Sequence, residues 1–385
     1  MTRFSVLLPT RNGGALLDDC IRSVLEQPYE DFELVVSDNA SEDDTALILT
    51  QWVDDPRVKV VKQTEPVEVS DNWNRALAAS GGDYVLLIGD DDQLLPGFFA
   101  EVDGLLRRHD EPDCLTYNGY AYAFPGFAGS PHSHWADPFY EPDPRLPGAG
   151  PISREQRMDI IRDIFRFIFR LHLNMQTTVV ARSAIECLRS GFFKPPFPDF
   201  YGLIALMLTA ESWVYEPAQP VVVGVSPKSF GNTIHSAIDQ AAGKRYLGIN
   251  TDFPGQLPGS EIVNGTYRCL LALKADYRDE LAGIEIDRPE YVMQQAYAWF
   301  VQARLGSLKP REVGKRLRRL RAGDWPPLAR MLAARAHPAK LRARLALDRS
   351  DPAPQLWPGM RPLPEVADIT QFAHWIDERR SRTAC

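Results

Sequence analysis

Tyr84-Val85-Leu86-Leu87-Ile88-Gly89-Asp90-Asp91-Asp92 is the stretch on which the fold turns. Five mainly apolar residues run straight into three adjacent carboxylates. A short continuous apolar run bounded by a turn reads as a strand buried on both faces, the kind found in parallel sheets. Adjacent carboxylates repel one another, so a fold that concentrates them at a strand end usually has a cation to offset them. Hard divalent ions such as Mg2+ or Mn2+ favour one or two carboxylates together with phosphate oxygens. Read alone, the triplet also fits a solvated acidic turn.

Upstream, the same pattern repeats. Phe4–Leu8 is an apolar run ending at Pro9, with Gly13-Gly14 beyond, and reads as a strand followed by a loop. Leu17, Cys20, Ile21, Val24 and Leu25 have helical spacing. Phe32–Val36 and Val58–Val61 read as further strands. Ser41-Glu42-Asp43-Asp44 has a capping-box pattern that predicts a helix through Thr50, and Asp71–Ala79 reads as another. Strands alternating with helices predict βαβ units and an α/β fold with a mainly parallel sheet. Ligands of such sheets sit beyond the carboxyl ends of the strands, where the clusters Thr10–Asn12, Asp38-Asn39 and Asp90–Asp92 fall.

Downstream, Leu94–Arg107 reads as a helix and Cys114–Phe124 as one strand. Pro125–Pro151, rich in Pro, Gly, His and aromatics, has no period; it reads as a long surface loop, and such loops often serve as lids. Met158–Leu171 and Phe200–Leu208 read as helices, Thr177–Val180 and Val221–Val225 as strands. Beyond about Ser236 the pattern is helical. The expected division is an α/β domain over 1–235 and a mainly helical region over 236–385.

The 385 residues carry a formal charge of −8, which argues against a generic polyanion binder. The charge is uneven: Val301–Ser350 holds 14 Lys or Arg against 3 Asp or Glu, leaving the rest at −19. A basic stretch on an acidic body suggests a partner of its own. Lys315–Arg321 and Lys340–Leu345 interleave cations with Leu and Ala, so peripheral membrane contact through 301–350 is one expectation. A helix packed on the acidic body is the plainer one. Nucleic acid is disfavoured because the stretch lacks interleaved aromatics beyond Trp325. Cys20, Cys114, Cys187, Cys269 and Cys385 form no CxxC pair and no zinc spacing, and read as reduced thiols of a cytoplasmic protein. No run approaches the roughly 18 apolar residues of a membrane span.

Pro9-Thr10-Arg11-Asn12, Ser37-Asp38-Asn39-Ala40-Ser41, Asp71-Asn72-Trp73-Asn74-Arg75 and Gly89-Asp90-Asp91-Asp92, in this order, resemble the family 2 glycosyltransferases of the GT-A fold. The resemblance covers about residues 3–230 and is specific over the first hundred. It implies a GT-A-type sheet flanked by helices with a helical extension, and a nucleotide-diphosphate sugar donor, a UDP-sugar foremost. Thr10 and Asp38 match positions that contact the base, and Asp90 the position near the ribose. Pro9, Arg11, Asn12, Asn39 and Asn74 stand in the same motifs as nucleotide-binding candidates. Asp91 matches the principal metal carboxylate, for Mn2+ or Mg2+, and Asp92 its acidic neighbour. His235 is a further candidate metal ligand, and Lys228 a candidate diphosphate contact. Trp73 stands where many members have Arg, and Gly89 where many have Asp, which leaves base and sugar open. The acceptor is a sugar, a lipid-linked sugar or a small molecule.

Members that invert the anomeric centre place a carboxylate after a Pro-rich approach to a helix, and Phe197-Pro198-Asp199-Phe200-Tyr201 fits. Apolar neighbours raise a carboxyl pKa toward working pH, which suits a general base. An ordinary helix cap is the plainer role for Asp199. Glu211 and Glu216 are alternative bases for which a structural role is the first expectation. Two rival functions remain: a non-catalytic nucleotide-sugar-binding subunit of a glycan-assembly complex, and a nucleotidyltransferase. The second is disfavoured because only Gly13-Gly14 stands where such enzymes carry a longer Gly-rich loop. The Pro125–Pro151 loop, through Trp135, Phe139 and Tyr140, is expected either to cover a sugar or to be a packed surface loop.

Overall fold

A computed structural model describes residues 2–169, 171, 173–227, 229, 244–304, 306, 308–335, 353, 357 and 359–383. The first half alternates as its periodicity predicts: β1 (Phe4–Thr10), α1 (Gly14–Leu25), β2 (Phe32–Asp38), α2 (Thr45–Leu49), β3 (Val58–Lys62), α3 (Val69–Ala79) and β4 (Tyr84–Leu87). The α1 residues Leu17, Cys20, Ile21, Val24 and Leu25 are all buried. The predicted capping box at Ser41 does not form. The Ser41 hydroxyl accepts from the Asn12 backbone N–H at 2.8 Å instead, and α2 is a short helix beginning at Thr45.

The chain continues through β5 (Gln93–Leu94), α4 (Phe98–Arg108), β6 (Cys114–Thr116), β7 (Tyr120–Ala123), β8 (His134–Ala136), β9 (Gly150–Pro151), α5 (Arg154–Ile164), β10 (Thr178–Ala181), α6 (Arg182–Glu186), α7 (Pro198–Thr209), β11 (Trp213–Tyr215) and β12 (Val221–Val225). The single strand expected over Cys114–Phe124 is two, in different sheets. The Asn118 side chain donates to Tyr140 O and accepts from Gly119 N. A Cβ on Gly119 would lie 2.8 Å from Val221 O. The chain therefore bends where it has a fixed amide and no side chain.

The main sheet has eight strands in the order β3-β2-β1-β4-β10-β6-β11-β9. β3, β2, β1 and β4 are mutually parallel, as are β6 and β11; β10 and β9 run against their neighbours. This is the α/β architecture with a mainly parallel sheet that the resemblance implied. Because β2 and β3 extend to one side of β1 and β4 lies on the other, the switch point falls between β1 and β4. That crevice is where open parallel sheets take ligands.

Beyond the sheet lie α8 (Glu261–Asp276), α9 (Arg288–Arg304), α10 (Pro310–Leu317), α11 (Trp325–Arg335), β13 (Arg361–Pro362) and α12 (Ile369–Thr383). The boundary expected near Ser236 falls outside the described residues. The last elements return to the first half: β13 pairs with β8, completing a five-strand sheet β13-β8-β7-β12-β5. α12 buries Ile369, Phe372 and Ile376 against Tyr122, Trp135 and Val222. The Pro125–Pro151 segment is accordingly a packed element, one of its two equal expectations. Trp135 packs on Phe372 and Trp375, Phe139 on Trp357, and Trp135, Phe139 and Tyr140 are all buried. On α10, Val313 and Leu317 pack against the main core, while Arg311, Lys315, Arg318 and Arg319 in and just after it are exposed. No described helix is long and apolar enough to cross a membrane.

Candidate active site

The switch point is closed by one hydrogen bond. Thr10, the last residue of β1, donates through Oγ1 to Asp90 Oδ2 at 2.6 Å, joining it to the turn after β4. A Cβ at Gly13 would sit 2.6 Å from Thr10 Oγ1 and 2.9 Å from Asp90 Oδ2, so only glycine lets the loop pass this pair. Beneath the turn, the buried Cys20 thiol donates to Gly89 O at 3.3 Å. Cys20, Cys114, Cys187 and Cys269 are free thiols.

The three carboxylates of the turn have different fates. Asp92 is 1 % exposed and points inward. Gly89 N donates to its Oδ2 at 2.6 Å and Gly224 N to its Oδ1 at 2.9 Å. Burial, and then the charge of Asp91, push its pKa well up. Expected beside a metal, Asp92 instead ties the turn to β12, because both its oxygens are taken by backbone N–H groups. Asp91 is partly exposed, and its Oδ2 accepts from Ser226 N at 3.1 Å and from the Ser229 hydroxyl. A Cβ on Gly224 would meet Asp91 O at 1.7 Å, so β12 can approach the turn only with glycine there. Asp90 is also partly exposed.

The other nucleotide candidates line the same edge. Asp38, 5 % exposed, accepts from Ser41 N, three residues on, at 3.0 Å and so folds the loop after β2. Asn39 exchanges two hydrogen bonds with Val67 and is 1 % exposed, so it braces the loop before α3 and presents little to a ligand. Asn12 has φ 57° and accepts from Glu42 N. Pro9 is partly buried and Arg11 exposed. Asn74 donates to Phe193 O at 2.9 Å, and Trp73 packs edge-on against Phe193, so this face of α3 holds the chain leading into α7. Arg75 turns to the Gln63 side chain. Lys228 and His235 lie outside the described residues.

α7 brings in Asp199. The helix ends at Thr209, beside the amino end of β11, so its first turn lies toward the carboxyl edge of the parallel strands. α8 holds it there. A Cβ on Gly265 would meet the Phe197 ring at 2.4 Å, and Asp276 accepts from the Tyr201 hydroxyl at 2.6 Å and from Lys194 at 2.7 Å. Phe200 N donates to Asp199 Oδ1 at 2.9 Å. Burial nevertheless dominates and pushes the Asp199 pKa up to about 6. Of the alternative bases, Glu216 is buried and paired with His109 at 2.6 Å. Glu211 is exposed beside the amino end of β11, far along α7 from Asp199.

One residue at the site has no sequence signal. Tyr246 lies in a segment without period, yet it packs with Leu247, Ile249, Val69, Trp73 and Phe197. Its pKa is pushed up to about 12, first by burial and then by the charge of Asp90, with Arg11 opposing. Tyr246 thus stands beside the Asp90 turn and in one cluster with Phe197, two residues before Asp199. Among the described residues no group of three His, Cys, Asp or Glu side chains is arranged to hold a metal.

Residues 5–162 match the family described as glycosyl transferase family 2. A Campylobacter jejuni protein named GalNAc(5)-diNAcBac-PP-undecaprenol beta-1,3-glucosyltransferase is 33% identical over 126 residues, 32% of this chain and 38% of its own. A Mycobacterium bovis PGL/p-HBAD biosynthesis glycosyltransferase is 32% identical over 116 residues, 30% of this chain and 45% of its own. The matches thus span under half the length of these relatives. Among solved structures, a mannosyltransferase from Pyrobaculum calidifontis in complex with GDP-Man and Mn2+ superposes with a TM-score of 0.47 at 16% identity, over 90% of this chain and 81% of that one.

Proposed function

Residues 5–162 belong to glycosyl transferase family 2, and from that premise we propose that the chain moves a sugar from a nucleotide-diphosphate donor to an acceptor hydroxyl with inversion. One observation carries the reading: the Thr10–Asp90 pair closes the β1/β4 switch point, with Asp91 beside it, partly exposed at the carboxyl edge of the sheet. The nucleoside takes the crevice lined by Thr10, Asp38 and Asp90, with Arg11 and Tyr246 at its rim. Asp199 removes the proton from the acceptor hydroxyl as that oxygen attacks the anomeric carbon. Its pKa near 6 leaves it ionised and still basic at neutral pH. The leaving nucleoside diphosphate departs on the opposite face, and no covalent intermediate on the chain is required.

A divalent cation fits these residues. The available donors, Asp91 with Asp90 beside it, are hard carboxylate oxygens. Mg2+ and Mn2+ sites on nucleotides use one or two carboxylates plus phosphate oxygens rather than an all-protein cage. When bound, the ion offsets charge growing on the diphosphate. Asp91→Ala is expected to abolish the gain in UDP affinity that Mn2+ gives the native chain. Calorimetry that finds equal UDP binding by the native chain with and without Mn2+ overturns the metal role. Metal-dependent hydrolysis of a UDP-sugar separates an enzyme from a non-catalytic binding subunit, which would bind and not turn over.

The Campylobacter relative's name describes a lipid-linked acceptor, and for this chain we place a similar acceptor at a membrane surface. With Val313 and Leu317 packed inward, α10 offers lipid no apolar face but exposed cations, each contributing about 1 kcal/mol near an anionic surface, with Glu312 the one exposed acid of the helix. The triple variant Lys315→Gln, Arg318→Gln, Arg319→Gln is therefore expected to sediment less with phosphatidylserine vesicles at low salt. Equal sedimentation of variant and native chain removes this contact.

A further inference from the structure

A cavity of about 600 Å3 opens at the amino edge of the main sheet, the edge opposite the switch point. It lies between the end of α4, the start of α5, the end of α7 and the start of β11, and Arg108, His109, Arg154 and Arg157 line it. Two acids, Asp110 and Glu211, also line it, and both are exposed. Ile152 and Trp213 form part of its floor but are themselves buried in the core.

Arg157 is the telling residue. It is 3 % exposed, and its Nη1 donates to Ala210 O at 2.7 Å, closing the end of α7. Its Nε is buried with no hydrogen-bond partner. A buried guanidinium N–H left unpaired costs more than an ordinary missing hydrogen bond. Arg154 stands three residues earlier on α5, on the same helix face, and adds repulsion instead of relief. Burial holds the Arg157 guanidinium below its ordinary range; Cys114 opposes this, Arg154 adds to it, and Asp113 opposes it least. Among the described residues neither Arg108, Arg154 nor Arg157 has a carboxylate within ion-pair distance. The positive end of the α5 dipole points the same way, its Ser153 hydroxyl already engaged by Gln156 N. Asp110 and Glu211 oppose an anion only from exposed positions, and Glu216 is taken by His109, so the buried and unpartnered Arg157 Nε is a need that the protein's own groups leave unmet.

We propose that this cavity is a binding site for a small organic phosphate, held by the guanidinium groups of Arg108, Arg154 and Arg157. Guanidinium forks match phosphate oxygens in geometry and charge, and the volume exceeds what a bare phosphate ion fills. The site is separate from the donor crevice. α7, about 18 Å long at 1.5 Å per residue, has Asp199 at one end and the Arg157–Ala210 contact at the other.

Calorimetry on the full chain tests this with glucose 1-phosphate and inorganic phosphate as probes, in the presence of excess UDP. The native chain is expected to bind glucose 1-phosphate more tightly than inorganic phosphate. The double variant Arg108→Gln, Arg154→Gln changes only exposed positions, so it keeps the fold. It is expected to weaken that binding by about tenfold or more, the loss of charge-assisted hydrogen bonds. Arg157→Gln should do the same, with its fold checked by circular dichroism. No binding by the native chain, or unchanged affinity in the double variant, overturns the site. Equal affinity for the two probes overturns its assignment to an organic phosphate. The variants lie outside the donor crevice, so the result stands whether or not the sugar-transfer reading does.

Discussion

Asp199→Asn is expected to slow transfer by about 10^2 to 10^4 with donor binding retained, and to make the folded chain more stable at neutral pH. Asparagine keeps the size of the side chain and an oxygen to accept from Phe200 N, so the start of α7 is preserved. What it loses is the basic carboxylate. The same burial that tunes the base also costs stability. An aspartate that titrates near 3.9 in the unfolded chain and at about 6 in the folded one opposes folding whenever it is ionised. That cost is absent below about pH 4, grows as pH rises to about 6, and stays constant above. The melting temperature of the Asn variant should therefore exceed that of the native chain at pH 8 and converge with it near pH 4. The native rate should fall as pH drops through about 6, where the base takes up its proton. A variant with near-native transfer would end the catalytic role of Asp199. A variant no more stable than native at pH 8 would mean that the partly exposed carboxyl is not desolvated enough to oppose folding. Neither Glu216, held by His109, nor Glu211, at the far edge, would be the natural successor.

The parts of the site legible in the sequence are those that depend on local pattern. The apolar runs of β1, β2 and β4 are visible because a strand buried on both faces leaves no polar alternation. Each run ends in residues that cannot continue it, so the sequence alone marks Thr10, Asp38 and Asp90 as strand ends. Sequence does not say which strands are neighbours. The Thr10–Asp90 contact joins residues 80 apart and follows from the order β2-β1-β4. The split among the carboxylates was hidden for the same reason: Asp92 is turned inward by Gly224, 132 residues away. Tyr246 sits in a segment with no period, and only its packing with Val69 and Phe197 reveals it. The aromatics of the Pro125–Pro151 segment show how this fails in the other direction. Trp135 reads as a residue free to stack on a sugar until Phe372 and Trp375 are seen to cover it.

That covering leads to the largest expected effect on stability. Ending the chain at Gly359 removes β13 and α12, and with them the buried side chains of Leu363, Val366, Ile369, Phe372 and Ile376, each at most 5 % exposed. At about 1.5 to 3 kcal/mol each, their burial contributes on the order of 8 to 15 kcal/mol, an upper figure because unfolded chains are already partly compact. Whole domains are stable by only about 5 to 15 kcal/mol. The polar contacts fail at the same time. Ser133 loses its exchange with Leu363, whose N–H donates to Ser133 O at 2.9 Å and whose carbonyl accepts from the Ser133 hydroxyl at 2.7 Å. Gln93 loses Thr370 at 2.7 Å. Strand β8 becomes an open edge with Trp135 uncovered, which invites association. Gln93 directly follows the Asp90–Asp92 turn, so the damage reaches the donor crevice through β5 and β12. A chain of residues 1–359 is expected to be aggregated or unfolded by size-exclusion chromatography and circular dichroism. Phe372→Ala provides the graded version, an expected loss of about 3 to 5 kcal/mol in denaturant unfolding, with His374→Ala on the exposed face of α12 as the neutral control. If residues 1–359 fold, bind UDP and melt cooperatively near the native temperature, then the α/β half is self-sufficient and α12 is an ornament on it; if Phe372→Ala alone lowers both stability and UDP affinity while His374→Ala changes neither, the last helix of the chain belongs to the support of its first site.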